Sequence, residues 1–307
     1  MKRINFKTSR GAVSVCFWKG PKNAPVLHWA HANGFNGQTY ATLLNKLKSR
    51  FNIYAWDAPG YGKTKIGENY NSKNPVLGYA RDLEALIESI YSRHKRKIIL
   101  GGHSIGGSLS IMISESLKEK VAGLILADPV IINSKYKYLT RFLGPFGYIS
   151  STIKLTNQAL NKRDRWNSFE DIVKSYSGRG AFKTWKKEFL RDYLKGGTEK
   201  EKNFVRLSCK PEIEAASFKN TELVATPNII KKIDVPMTLI VAEYNSTTSA
   251  RKSFQALKSK SKIIVAKGGT HFFPMEMPEL VIQEIKSFNL QSKNLYSKEY
   301  QKPGWKR

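Results

Sequence analysis

The stretch Lys97-Ile98-Ile99-Leu100-Gly101-Gly102-His103-Ser104-Ile105-Gly106-Gly107 decides how the rest of the chain is read. Residues 97–100 have the character of a short buried strand, and 105–117 carry apolar residues at helical spacing. Between them, Gly102-His103-Ser104-Ile105-Gly106 fits the G-x-S-x-G pattern of a nucleophile elbow, in the strand-to-helix setting that the pattern requires. Small residues beside the serine let the backbone bend tightly and leave the hydroxyl exposed above the sheet, and the start of the following helix favours negative charge there. The strand, the helix and the glycines at 102, 106 and 107 favour this reading over a glycine-rich turn with an incidental serine.

Around this turn, short apolar runs alternate with amphipathic stretches. Strands are expected over 12–18, 25–30, 52–56, 121–127, 236–242 and 262–266, and helices over 40–49, 77–93, 105–117, 250–258 and 279–288. The unbroken apolar run 121–127 suits a parallel sheet covered on both faces. The order predicts an α/β fold with a doubly wound, mostly parallel sheet, its core formed by residues 1–129 and 234–291. Residues 130–233 lack a strong strand and read as an insertion, with helices over 169–176, 182–194 and 211–216 making a helical cap over one edge of the core. Residues 292–307 form a polar, basic tail, either frayed or strapped along the surface.

Composition narrows the class. A chain of 307 residues with 41% apolar residues can bury a core, which excludes disorder and fibrous repeats. No window approaches the length of an apolar membrane span, and residues 1–10 are polar where a signal peptide needs an apolar core, so a soluble, cytoplasmic protein without membrane insertion is expected. Cys16 and Cys209 are too few for a disulfide framework or a thiolate metal cage and read as packing residues. The net charge of +28 points to nucleic acid or an anionic surface only if it is clustered. It is spread along the whole chain, and Lys outnumbers Arg by 38 to 14, so a general lysine bias accounts for it better than a specific nucleic-acid partner.

A serine hydroxyl is a poor nucleophile at neutral pH, so a base must take its proton and a carboxylate must orient the base. Of five histidines, His28 lies within an apolar strand, His31 opens a loop, His94 sits in a basic run and His103 belongs to the elbow. His271, in the loop Gly268-Gly269-Thr270-His271-Phe272-Phe273-Pro274 after the last strand, is left as the base. Two positions compete for the acid: Asp128, at the end of the strand 121–127, and Glu243, after the strand 236–242. Donors for a developing oxyanion are expected from the backbone N–H of Ile105, next to the serine, and of Asn33, in the loop His31-Ala32-Asn33-Gly34-Phe35 after the strand 25–30. In the insertion, Glu214 and Arg179 read as a solvated helix face rather than substrate contacts, and Tyr148, Trp166, Phe169 and Trp185 as packing between cap and core.

With these residues in place the chain resembles the α/β-hydrolase superfamily over roughly residues 20–290. The resemblance rests on His31-Ala32-Asn33-Gly34, on Asp57-Ala58-Pro59-Gly60-Tyr61-Gly62, on the Ser104 elbow and on His271. The stretches Ser177-Gly178-Arg179-Gly180, Arg206-Leu207-Ser208-Cys209-Lys210-Pro211-Glu212 and His271-Phe272-Phe273-Pro274-Met275-Glu276 look like a bacterial subgroup of capped serine hydrolases. The usual acid position of the superfamily holds Asn245, which cannot stabilise an imidazolium as a carboxylate does; members with the acid after the sixth strand support Asp128 by position. Ala32 replaces the commoner glycine of a His-Gly dipeptide. Asp57 is implied to shape its turn without doing chemistry, and a serine nucleophile argues against the aspartate-dependent dehalogenases and epoxide hydrolases.

The reading is therefore a serine hydrolase acting on a carboxylic ester, with Ser104, His271 and Asp128 as the triad, Asn33 and Ile105 at the oxyanion, and no metal or organic cofactor. Its partner is a small or medium, largely apolar ester-like substrate. The alternatives are an amidase, lactonase or thioesterase with the same triad, or a low-turnover ligand-binding protein on the same fold.

Overall fold

The computed structural model describes residues 1–67, 70, 74–132, 148–220, 227–248 and 261–288. Six strands come first: β1 (Lys2–Thr8), β2 (Gly11–Trp18), β3 (Val26–Ala30), β4 (Asn52–Trp56), β5 (Ile98–His103) and β6 (Val121–Ala127). Three short ones lie in the inserted segment, β7 (Arg165–Trp166), β8 (Thr198–Lys200) and β9 (Val205–Leu207), and β10 (Met237–Ala242) and β11 (Ser261–Ala266) follow it. The main sheet has the order β1-β2-β4-β3-β5-β6-β10-β11. It is parallel from β4 to β11, with β1 and β2 running antiparallel at one edge. This is the α/β-hydrolase fold with a mostly parallel sheet and flanking helices.

Every residue of β3, β4, β5 and β10 is buried, which is why these segments are mostly apolar rather than alternating. β1 differs: each of its residues is exposed or half-buried, and Lys2, Arg3 and Lys7 mark it as a charged edge. That polarity hides this strand from a search for apolar runs. Helices Pro75–His94 and Ile105–Ser114 cover one face, through Leu83, Leu86, Leu109 and Ile113. The other face carries Leu43 and Leu44 of helix Ala41–Asn45 and Val281 and Ile285 of helix Pro278–Ser287. Helix Pro75–His94 begins where the Asn74 side chain accepts the Leu77 N–H with Pro75 in the first turn, and ends at Lys95 in the left-handed region.

The segment expected to be a helical cap is mixed. Its helices Tyr148–Leu160, Phe169–Tyr176, Lys187–Gly197 and Pro211–Lys219 accompany the small antiparallel sheet β7-β9-β8. Strands of two or three residues carry no periodicity to read. The expected helix 182–194 is a short 3₁₀ turn, Gly180–Lys183, followed by helix Lys187–Gly197. Trp166 and Trp185 share one buried cluster with Trp29 and Tyr40 of the core. The segment is also tied down by polar bonds: Asp192 accepts the Thr42 N–H and hydroxyl at 2.9 and 2.7 Å, and Asn36 Nδ2 donates to the Tyr193 carbonyl at 3.0 Å. The expected helix 250–258, the tail 292–307 and the Tyr148 side chain lie outside the described residues. Both cysteines are buried and free. Among the described residues no helix is long and apolar enough to cross a membrane.

The strand order reverses between β3 and β5. β3 pairs with β5 on one side and β4 on the other, and the chain beyond β5 builds outward through β6, β10 and β11. Loops leaving the carboxyl ends of β3 and β5 therefore diverge, at the topological position where open α/β sheets bind ligands.

Two fully buried histidines make the fold sensitive to acid. Burial, with the nearby His31, lowers His28 from 6.5 to about 3, and burial, with His271, lowers His103 to about 3. The unfolded chain takes up protons near pH 6.5 that the folded chain refuses. Stability is thus full above that value and falls as the pH drops towards 3. Urea unfolding between pH 7 and pH 5 should show this decline, with a shallower slope in His28→Leu. Equal slopes in the two proteins would contradict the assignment.

Candidate active site

Ser104 sits between β5 and helix Ile105–Ser114 at φ 57° and ψ −127°, a conformation unusual for a residue with a side chain. Close packing holds it there. A Cβ at Gly106 would lie 2.3 Å from the Ala30 carbonyl oxygen, and one at Gly102 would lie 2.5 Å from the Gly106 carbonyl carbon. The glycines let the helix start pass directly against the end of β3.

His271, in the loop after β11, points Nε2 at the Ser104 hydroxyl at 3.1 Å and Nδ1 at Asp128 Oδ2 at 2.7 Å. Asp128 is the first residue after β6, wholly buried, and turns back on itself at φ 40°. Four more bonds hold its carboxylate. Oδ1 accepts the Ala242 N–H at 3.0 Å and the Ser246 hydroxyl at 2.6 Å, and Oδ2 accepts the Thr247 N–H at 2.9 Å and its hydroxyl at 3.3 Å. Burial acts to raise the Asp128 pKa. The hydrogen bond and charge of His271, the Ser246 hydroxyl and the Ala242 N–H outweigh it and hold the carboxyl below its ordinary value. Glu243 is exposed and accepts the Gly268 N–H instead, at 2.6 Å. The loop bearing Asn245 supplies donors to the carboxylate rather than a carboxylate of its own. Sequence reasoning misses Ser246 and Thr247, although hydroxyls directly after a non-acidic residue at that strand end are a readable sign.

The loop after β3 starts beside the elbow, because Ala30 pairs with Gly102. Among the described residues no protein group accepts the Asn33 N–H. Ile105 opens its helix, where first-turn N–H groups lack intrahelical partners. The Asn33 side chain fixes the loop: Oδ1 accepts the Tyr61 hydroxyl at 2.6 Å and Nδ2 donates to the Glu214 carbonyl at 3.1 Å. His31 ties the same loop to the next one, with Nδ1–H donating to the Ala32 carbonyl at 2.8 Å and Nε2 accepting the Ala58 N–H at 3.0 Å. That pattern is a neutral ring, and burial lowers its pKa accordingly. Asp57 accepts the Gly37 and Lys63 N–H groups, both at 2.8 Å, and pairs with Arg3, so it shapes its turn. Arg179 is exposed as expected. Glu214 differs from the expected solvated face: its carboxylate lies against Gly34 and pairs with Lys162 at 3.1 Å. No group of three or more His, Cys, Asp or Glu among the described residues is arranged to hold a metal.

Comparison with known proteins agrees with the fold. The chain belongs to the alpha/beta hydrolase family, whose profile matches residues 26–284. It is 23% identical over 220 residues to a Mycoplasma pneumoniae protein provisionally named esterase/lipase 2, covering 72% of this chain and 70% of that one. It is 26% identical over 133 residues to protein phosphatase methylesterase 1 of Bos taurus, covering 42% of this chain and only 34% of the relative. Among solved structures, E-2-(acetamidomethylene)succinate hydrolase superposes with a TM-score of 0.76 at 16% identity, covering 94% of this chain and 98% of that one. An esterase from Thermogutta terrifontis superposes at 0.60 with 19% identity, covering 93% and 97%. At these identities the superpositions speak for the fold alone.

Gly106→Ala should force the helix start away from Ala30. A fall in melting temperature of about 5 °C or more is expected, together with loss of Ser104 reactivity. Gly67→Ala, whose added carbon meets nothing within 4 Å among the described residues, should change neither. Identical behaviour of the two variants would show that the close approach is not required.

Proposed function

We propose that this chain is a serine hydrolase of carboxylic esters. The observation that carries the reading is the unbroken path from the Ser104 hydroxyl through His271 to Asp128, at 3.1 and 2.7 Å. Ser104 Oγ attacks the acyl carbon while His271 Nε2 takes its proton, and the carbonyl oxygen becomes an oxyanion facing the N–H groups of Asn33 and Ile105. Asp128 holds the imidazole with its Nδ1–H inward and stabilises the imidazolium. The intermediate collapses as His271 hands the proton to the departing alcohol oxygen, leaving an acyl-Ser104 ester. Water then repeats the sequence, giving its proton to His271 and its oxygen to the acid product, and Ser104 recovers its proton. No metal or cofactor is called for.

The division of labour follows the same reading. Residues 1–129 and 234–291 form the hydrolase core, 130–233 serve as the cap of a capped bacterial serine hydrolase, and 292–307 are a basic tail. The cap's aromatic packing around Phe35, which meets Trp185, Tyr193 and Phe272, supports an apolar enclosure suited to a small or medium acyl group. The esterase and methylesterase relatives support an ester as the substrate class. A cleft that passes only long polymeric substrates, or no turnover of any short acyl ester, would contradict it.

A fluorophosphonate probe tests the reading on the whole protein. Wild type should be labelled at Ser104, Ser104→Ala not at all, and Asp128→Asn more slowly by about 10³–10⁴-fold. Folded wild type that resists labelling would instead favour a ligand-binding protein on this fold.

A further inference from the structure

Tyr40 ends the 3₁₀ turn Gly37–Tyr40 and is wholly buried. Its hydroxyl accepts the Ala32 N–H at 3.2 Å and lies 2.8 Å from His103 Nδ1. The other ring nitrogen of His103, Nε2, lies 2.8 Å from the His271 carbonyl oxygen. A carbonyl only accepts, so the His103 proton sits on Nε2, and Nδ1 must accept the Tyr40 hydroxyl proton. Ala32 N–H, Tyr40 Oη, His103 and the His271 carbonyl thus form one directed path in which every group is satisfied. Burial raises the Tyr40 phenol and lowers His103 to about 3, so both members stay neutral through the physiological range.

The path touches two loops and the end of β5. Ala32 precedes Asn33, His103 precedes Ser104, and the last acceptor is the main chain of His271 itself. The rings of His103 and His271 also lie close, tilted at 38° with 4.8 Å between centroids. We propose that Tyr40 and His103 are positioning residues, which set the Asn33 N–H and the His271 ring jointly against Ser104 through this buried hydroxyl–imidazole path. The inference rests on the serine-hydrolase reading above. A residue that merely filled space would affect melting temperature; one that sets the register of base and oxyanion donor affects the chemical step more than substrate binding.

Ester hydrolysis, Ser104 labelling and thermal melts of Tyr40→Phe, His103→Met and His103→Gln test this. The glutamine amide of His103→Gln can accept from Tyr40 and donate to the His271 carbonyl, which the methionine thioether of His103→Met cannot do. Tyr40→Phe and His103→Met should lower kcat by about tenfold or more with KM within about twofold, and His103→Gln should recover most of the loss. Unchanged kcat in folded Tyr40→Phe and His103→Met overturns the inference while labelled wild-type Ser104 leaves the hydrolase reading standing. Absence of Ser104 labelling in wild type overturns both. Nitrogen-15 NMR of the wild-type imidazoles decides the matter should the variants not fold. His103 should stay neutral and protonated on Nε2 from about pH 8 to pH 5; a proton on Nδ1, or titration within that range, overturns the path.

Discussion

The parallel pairing of β5 between β3 and β6 is the constraint on which the rest depends. It brings three strand ends to one edge, so that Ala30 stands beside Gly102 and His103 beside Ala127. The elbow, the Asn33 loop and Asp128 all leave the sheet from these neighbouring ends. Their closeness is set by backbone register, and glycines at 102 and 106 supply the space that the register demands. A strained Ser104 persists because helix Ile105–Ser114 and β3 close on it from both sides.

Within that frame the acid is an unusual anchor. Asp128 is buried, so its charge is tolerable only because several donors converge on it. Three come from the turn after β10, the Ser246 hydroxyl and the Thr247 N–H and hydroxyl, and one from the end of β10 itself, at Ala242. The carboxylate consequently joins β6, β10 and the His271 loop. The same atoms that hold the imidazole also fasten the sheet's far half to the elbow, so under the proposed mechanism stability and reactivity at this position are coupled.

The central strands, the elbow and the pairing of Ser104 with His271 are legible in the sequence because buried parallel strands and a strand-glycine-serine-helix turn leave strong local patterns. Asp128 is legible only through its place after a strand and the amide at position 245. Less is visible where the determinant is non-local. β1 is too charged to look like a strand, and β7, β8 and β9 are too short for any period. Glu214 resembles a solvated helix residue until Lys162 and Gly34 are seen beside it. Tyr40 and His103 carry no signal of their own, because their significance lies in contacts 63 and 168 residues apart along the chain.

The claim at the centre of this account is that Ser104 takes the acyl group covalently. Rapid mixing with an activated short-chain aryl ester, followed by acid quench and peptide mass spectrometry, measures that directly. The account predicts a burst of about one equivalent of phenol per protein chain and an acyl mass on the peptide containing Ser104. Steady ester turnover with no adduct at Ser104, undiminished in Ser104→Ala, would contradict it.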